Sequence, residues 1–343
     1  MSHFPVFKAA AAHVAPIFLD PLLTAEKTSS LIAEAARNGA SLVAFPESFL
    51  PGFPLWAAVH APIDTHAHFE RFALASVFAD GPEIGLIRQA AARSGVFVSI
   101  GFSERNPASV GGLWNSNLLI GAKGEVLVHH RKLVPTFFEK LVWNPGDGEG
   151  LRVADTSLGR IGALICGENT NPLARFTLMA QGEQVHVSSY PPAWPTRAPL
   201  AGGNYDNRAA NRIRAAAHCF EAKCFGIVVA GRLDDAACKA ISAGNSAAAA
   251  VLEQTSRAGS FFLDPTGTIL GEEQFDEGIS YAELDLSRCL EPKRFHDVVA
   301  GYNRFDIFNL TVERTRHAPV RFADLECAPK WEEPPSPPHS EAA

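Results

Sequence analysis

The sequence predicts an α/β fold, and three observations carry that expectation. The chain opens with an apolar run, an N-capped helical segment and a second apolar run, which reads as a β-α-β unit. Short apolar runs and helical segments then alternate along the chain. Three of the runs end in a chemically active side chain, Glu47, Lys132 or Cys166, and the carboxyl ends of strands are where α/β folds bind ligands. With 343 residues the chain is long for one domain, yet it fits a single α/β unit with a large core.

Val6–His13 is the first expected strand. Asp20 then supplies an N-cap with Pro21 at the first helical position. Leu23, Ile32, Ala35 and Ala36 are expected on one face of this helix, and Asn38-Gly39 stops it. Ser41–Phe45 is the second strand, closed by Pro46-Glu47. The loop Phe49–Trp56 is too aromatic for a plain solvated loop and reads as a pocket lining or the cover of a core edge. Helices follow at Ile63–Phe78 and Pro82–Arg93, then strands at Val96–Ser103 and Trp114–Ile120. The turn Gly121–Gly124 leads into a return strand, Glu125–His130. The cluster His130–Thr136 comes off its end. A basic cluster ending a strand is expected to form a solvated face.

Trp143–Gly148 is rich in turn formers. Leu151–Asp155 and Arg160–Ile165 form another hairpin, which ends at Cys166. Gly167 and the helix start at Asn171-Pro172 make this a strand, sharp turn and helix. A thiol there lies near N–H groups that favour a thiolate or a developing negative charge. A small buried hydrophobe is the bland alternative. The helix Pro172–Gln181 is expected to turn Leu173, Phe176 and Ala180 inward. Gln184–Ser188 is a strand with the proline-rich loop Ser189–Pro195 at its end. Asn207–Lys223 is a long helix and Cys224–Ala230 an apolar strand, whose cysteine reads as core. Ala247–Ala250 is helical in composition. Ser260–Asp264 pairs with Thr268–Leu270 around Pro265-Thr266-Gly267, and Ile279–Asp285 is a last strand. From Pro329 onward the composition is that of a disordered tail.

Composition narrows the function classes. Hydrophobic residues at 47% and charged residues at 20% suit a soluble globular protein, and the net charge of −7 with no basic stripe argues against nucleic acid. The six cysteines, at 166, 219, 224, 238, 289 and 327, form no Cys-x-x-Cys pair, so neither a disulfide framework nor a zinc site is expected. A reduced, cytoplasmic setting fits. The start lacks a signal-peptide pattern and no apolar run is long enough to span a membrane. His66 and His68 lack a third partner for a metal. His129 and His130, adjacent on a strand, point to opposite faces.

Phe45-Pro46-Glu47, His130-Arg131-Lys132-Leu133-Val134-Pro135-Thr136 and Ile165-Cys166-Gly167-Glu168-Asn169 together resemble the nitrilase branch of the carbon–nitrogen hydrolase superfamily. The flanking runs Phe138–Trp143, Gly146–Gly148 and Val187–Pro191 agree, and the resemblance extends from Val6 to Asn309. It implies an α-β-β-α sandwich of two mixed sheets flanked by helices, over residues 1–310, with 311–343 as a C-terminal extension. It implies Glu47 as general base, Lys132 as stabiliser of the charged intermediate and Cys166 as nucleophile, with Glu139 positioning the lysine and substrate. It also implies a homo-oligomer, dimers built through helices flanking the site and extended in some relatives into spirals. No metal or organic cofactor is needed.

The implied reaction converts an organic nitrile to the carboxylic acid and ammonia through a thioimidate and an acyl-thioester, with some amide by-product. Gly167 is a candidate N–H donor to the charge on nitrogen. Trp56 and Tyr190 are the aromatics expected against substrate, ahead of Trp143 and Trp194. Glu168 is expected to brace the turn. The chain departs from the pattern of many aromatic nitrilases, which carry Trp where Gly167 stands. It departs again at Gly301–Asp306, where Gly-His-Tyr-x-Arg-Pro-Asp is the expected form. The alternatives are an amidase or cyanide-hydrating member of the superfamily and, more remotely, a catalytically silent filament-forming scaffold.

Overall fold

The structure, a computed structural model, describes residues 4–195, 206–318 and 320; the proline-rich stretch from Pro329 and Cys327 lie outside them. The described strands form two six-stranded sheets. The first contains β1 (Val6–His13), β2 (Ala40–Ala44), β3 (Phe97–Asn106), β4 (Ser109–Ile120), β5 (Val126–Arg131) and the returning β12 (Gly278–Asp285), in the order β12-β1-β2-β3-β4-β5. The second contains β6 (Ala154–Thr156), β7 (Gly159–Ile165), β8 (Val185–Tyr190), β9 (Phe225–Ala230), β10 (Ser260–Leu263) and β11 (Ile269–Gln274), in the order β11-β10-β9-β8-β7-β6. Both are mixed. In each, three central strands run parallel (β1, β2, β3 and β7, β8, β9) and the outer pairings are antiparallel.

Alternation along β1 shows how the layers assemble. Ala9 and Ala11 point between the sheets, against a core with Leu42, Ile161, Val187 and Ile227. Ala10 and Ala12 point the other way, into a layer with Ile32 of α1 (Pro21–Arg37) and Ile84 and Ile87 of α4 (Pro82–Ser94). The outer face of the second sheet is covered by α5 (Pro172–Met179) and α6 (Asn207–Ala222) through Met179, Ala215 and Cys219. The result is the expected α-β-β-α sandwich. At one end α2 (Trp56–Val59), α3 (His66–Ala75), α7 (Asp235–Ser242) and α8 (Ser246–Gln254) join an aromatic cluster of Phe53, Trp56, Phe72, Phe138 and Trp143. A short α9 (Leu290–Lys293) follows β12.

Two helical faces differ from expectation. Asp20 caps α1 by accepting from the Leu23 N–H at 2.9 Å, but Leu23 is exposed and the inward face is Thr24, Ala25, Thr28, Ile32 and Ala35. The threonines are buried because each hydroxyl donates to the backbone one turn back, Thr24 to Asp20 O and Thr28 to Thr24 O. In α5 the inward residues are Ala174, Thr177, Leu178 and Met179. Leu173 and Ala180 are exposed, and Leu173 and Phe176 instead line a surface cavity with Ile307, Phe308 and Leu310. Apolar residues occur on both sides of this helix, so periodicity alone fits either face.

Candidate active site

Glu47 follows β2 on a segment that β3 grips from one side. The Phe45 N–H donates to Ser99 O and the Phe49 N–H to Gly101 O, both at 2.8 Å. Gly101 is required there: a Cβ would fall 2.4 Å from Pro46 O and 2.8 Å from Glu47 Cα. Close packing of this kind leaves the Glu47 carboxylate buried, with Asn115 of β4 donating to its Oε1 at 2.7 Å.

Lys132 leaves the end of β5, the edge strand of the same sheet. Its Nζ lies 2.7 Å from Glu47 Oε1 and 2.6 Å from Glu139 Oε2, and none of the three side chains is exposed. The Thr136 N–H also donates to Glu139 Oε2, at 2.9 Å, so the helical turn Phe137–Leu141 fixes the carboxylate that fixes the lysine. Alternation on β5 sorts the basic run His129–Lys132. His129 and Arg131 both meet Glu104, while His130 meets Glu168 and Lys132 meets its two glutamates. The expected solvated face is thus largely buried, because a carboxylate from elsewhere in the fold meets each of these basic side chains.

Cys166 directly follows β7 with φ of 49°, a left-handed conformation that is costly for a residue with a Cβ. The turn is held by Glu168, whose oxygens accept from the Ile165 N–H at 2.9 Å, the Leu133 N–H at 2.6 Å and His130 Nε2 at 2.9 Å. Glu168 therefore braces the turn, and burial is outweighed by His130 and these N–H groups, which hold its carboxyl below the usual range. One oxygen of Glu47, one of Glu139 and the Cys166 Sγ lie within 4.8 Å of one another.

Two carboxylates share one ammonium in this buried cluster. Burial drives the Glu47 carboxyl up; Lys132 opposes and Glu139 adds, leaving it at about 7. Burial also pushes the Cys166 thiol well above its usual range, Glu47 adding to the effect and Lys132 opposing it. For Lys132 burial works against the ammonium, but Glu139 and Glu47 outweigh it and hold its pKa high. The donor set of two carboxylates and a thiol would suit a cation, but the Lys132 ammonium already sits between the carboxylates.

Residues 8–294 match the carbon–nitrogen hydrolase family. The chain belongs to that family. It is 36% identical to a bromoxynil-specific nitrilase of Klebsiella pneumoniae subsp. ozaenae, over 92% of this chain and 87% of that one. It is 33% identical to an arylacetonitrilase of Aspergillus kawachii, over 92% and 94% of the two chains. Its fold is similar to that of a carbon–nitrogen hydrolase from Helicobacter pylori, with a TM-score of 0.66 and 20% identity over 88% and 97% of the chains.

In this carbon–nitrogen hydrolase, Cys166 and Gly167 line a cavity of about 250 Å³ with Thr136, Phe137, Trp194, Asn207 and Arg214. The structure brings Glu47, Lys132, Glu139, Cys166 and Gly167 together, and it places the two expected aromatics elsewhere. Trp56 is buried in the aromatic cluster, against Phe72 and His68. Tyr190 is fully buried among the residues packed beneath Cys166. Trp194 lines the cavity instead, its ring 4.5 Å from that of Phe138. Asn115, Phe137 and Arg214 had no local signal in the sequence. Asn115 is placed by the pairing of β4 beside the Glu47 segment, Arg214 by the packing of α6 beside the Cys166 turn, and Phe137 by the helical turn that also carries Glu139.

Proposed function

We propose that this chain is a nitrilase, converting an organic nitrile and two waters to a carboxylic acid and ammonia. The observation that carries the reading is the buried Glu47-Lys132-Glu139 cluster facing a cysteine on a tight turn. Relatives bearing the nitrilase name, matched along almost the whole chain, favour a nitrile over an amide as substrate.

Glu47, raised to about 7, takes the thiol proton as Cys166 Sγ bonds to the nitrile carbon. No standing thiolate is required. The π electrons shift to nitrogen, where Lys132 and the Gly167 N–H offset the charge, and a proton returns from Glu47 to give the thioimidate. The Gly167 N–H is suited to this because the first N–H groups of a helical turn have no partner within it. Water then adds as Glu47 passes one of its protons to the nitrogen; the remaining hydroxyl proton follows by the same route as the carbonyl forms, ammonia leaves, and an acyl-thioester remains. A second water repeats the addition and expels the thiol, releasing the acid. Expulsion of the thiol one step earlier would give the amide, so a minor amide product is expected.

Leu173 of α5 with Ile213 and Phe220 of α6 expose apolar side chains on the helices flanking the site. This supports pairing with a second copy through that face. Cys166, Cys219, Cys224, Cys238 and Cys289 are free, which suits a reducing, cytoplasmic setting. No helix among the described residues is long and apolar enough to cross a membrane. The proposed substrate is a small neutral nitrile, and no nucleic-acid partner is expected of a chain with net charge −7.

The test compares ammonia release from phenylacetonitrile and from phenylacetamide, in the parent and in Cys166→Ala. Acid and ammonia from the nitrile, lost in the variant at unchanged melting temperature, are expected. Consumption of the amide alone would replace the reading with an amidase. Retained turnover in Cys166→Ala would remove the nucleophile.

A further inference from the structure

Behind the Cys166 turn lies a buried polar chain that the mechanism above does not use. Asn169, Glu183, His186 and His218 are each no more than 1% exposed. Asn169 Nδ2 donates to Cys166 O at 3.0 Å and to Leu164 O at 3.3 Å. Both amide protons are thereby used, which fixes Asn169 Oδ1 as the acceptor. That oxygen receives His186 Nε2 at 2.8 Å and the Ser188 hydroxyl at 3.1 Å. His186 Nδ1 meets Glu183 Oε1 at 2.7 Å, and His218 Nε2 meets Glu183 Oε2 at 2.6 Å. The two imidazole rings stack with centroids 3.6 Å apart. Gly162 of β7 leaves room for the carboxylate, since a Cβ would fall 2.1 Å from Glu183 Oε1.

Proton bookkeeping gives the chain a direction. Burial opposes ionisation of Glu183, but His186 and His218 outweigh it and hold its carboxyl down at about 2. An ionised Glu183 accepts at both oxygens. His186 then donates from both nitrogens, to Glu183 and to Asn169, and so carries the positive charge of the pair. Burial and that neighbouring charge lower His218 to about 4, so it stays neutral with its proton on Nε2. The set has metal-ligand chemistry, but these short hydrogen bonds already engage the atoms a cation would need.

The carbonyl that Asn169 holds belongs to the same peptide unit as the Gly167 N–H. We propose that Asn169, held by His186 and Glu183, is a positioning residue that orients and polarises the Cys166–Gly167 peptide so that its N–H meets the charge developing on the nitrile nitrogen. A donor on the carbonyl pulls electron density from the amide and fixes the plane in which the N–H points, and successive hydrogen bonds reinforce one another. The inference rests on the reading of Cys166 as nucleophile.

The test uses Asn169→Asp, which retains an acceptor for His186 and Ser188 but removes the donor to Cys166 O. The expected result is a fall in kcat for a nitrile on the order of 10- to 100-fold with KM within about threefold. Labelling of Cys166 by iodoacetamide, followed by intact mass, needs the thiol but not the N–H site, and its rate should stay within about threefold. A kcat within about twofold of the parent overturns the proposal, as does a parallel fall in kcat and labelling rate, which would mean only a disturbed turn. If Asn169→Asp does not melt cooperatively, His186→Gln decides by the same two readouts, with an expected kcat loss of about fivefold because a donor to Asn169 remains but the charge is gone. A parent enzyme that stays active after complete labelling at Cys166 would sink the nucleophile assignment and leave the relay a separate matter.

Discussion

Lys132 and Glu139, seven residues apart, meet at 2.6 Å with neither side chain exposed. The turn between them folds Glu139 back beneath the lysine, so the cation is held by its own loop before it reaches Glu47 across the sheet. The cluster of Glu47, Lys132 and Glu139 carries one more negative than positive charge when all three are ionised. Burial, with the repulsion of Glu139 added to it, explains why a carboxylate touching an ammonium nevertheless has its pKa raised, to about 7 in Glu47.

An acid limb near neutrality follows. Glu47 acts as base only when ionised, so kcat/KM is expected to fall as pH drops through about 7, with unit slope. An unperturbed glutamate would place the limb near 4.3. A pH profile flat from 8 down to 5 would show that Glu47 is not the base.

Glu139→Gln removes the surplus charge while keeping the shape of the side chain. Glu47 would then face Lys132 without a competing carboxylate, and the acid limb is expected to move down by about one pH unit. The kcat at the pH optimum should fall about tenfold or more, because Lys132 loses the partner that aims it. A limb that stays in place would mean that burial alone raises Glu47.

The strand ends carrying Glu47, Lys132 and Cys166 were legible because each follows a short apolar run closed by proline, a basic cluster or glycine. What brings them together was not legible locally. The sandwich, the roles and Glu139 came through resemblance, since the partners lie far apart along the chain, Lys132 being 85 positions from Glu47. The basic run at 129–132 shows the limit well. Alternation on β5 splits it correctly into two faces, but nothing local reveals Glu104, Glu168 and Glu47 waiting on them. The aromatics failed for a related reason. Trp56 and Trp194 both follow proline-containing runs, and only the tertiary packing seals Trp56 in the core and leaves Trp194 on the cavity wall. The helix α7 was missed because Asp234-Asp235 and its small residues hide an inward face of Ala237 and Ile241.

Lys132→Met tests what the ammonium does for the fold. Removing it leaves Glu47 and Glu139 buried together, and breaking a buried pair in this way costs about 3–5 kcal/mol. Urea denaturation at pH 8 should show that loss. At pH 5.5 the deficit should shrink, because protonating one carboxyl relieves the cluster. An equal deficit at both pH values would show that the carboxylates, not the lost packing, are irrelevant to the penalty.

Gly167→Ala tests the space beside the nucleophile. The new Cβ would fall 2.8 Å from Thr136 Oγ1, closer than real Cβ contacts allow, so either the threonine or the Cys166 turn must move. Both line the cavity, and a shift of a few tenths of an ångström at the turn misdirects Sγ and the adjacent N–H together. A fall in kcat/KM of about tenfold is expected, larger for an arylacetonitrile than for a short aliphatic nitrile because the methyl also narrows the cavity. Thr136→Ala removes the colliding oxygen while leaving the backbone N–H on Glu139 in place. The double variant should therefore recover most of the loss toward the aliphatic substrate. A double variant no better than Gly167→Ala alone would locate the cost in the turn itself rather than in the contact with Thr136.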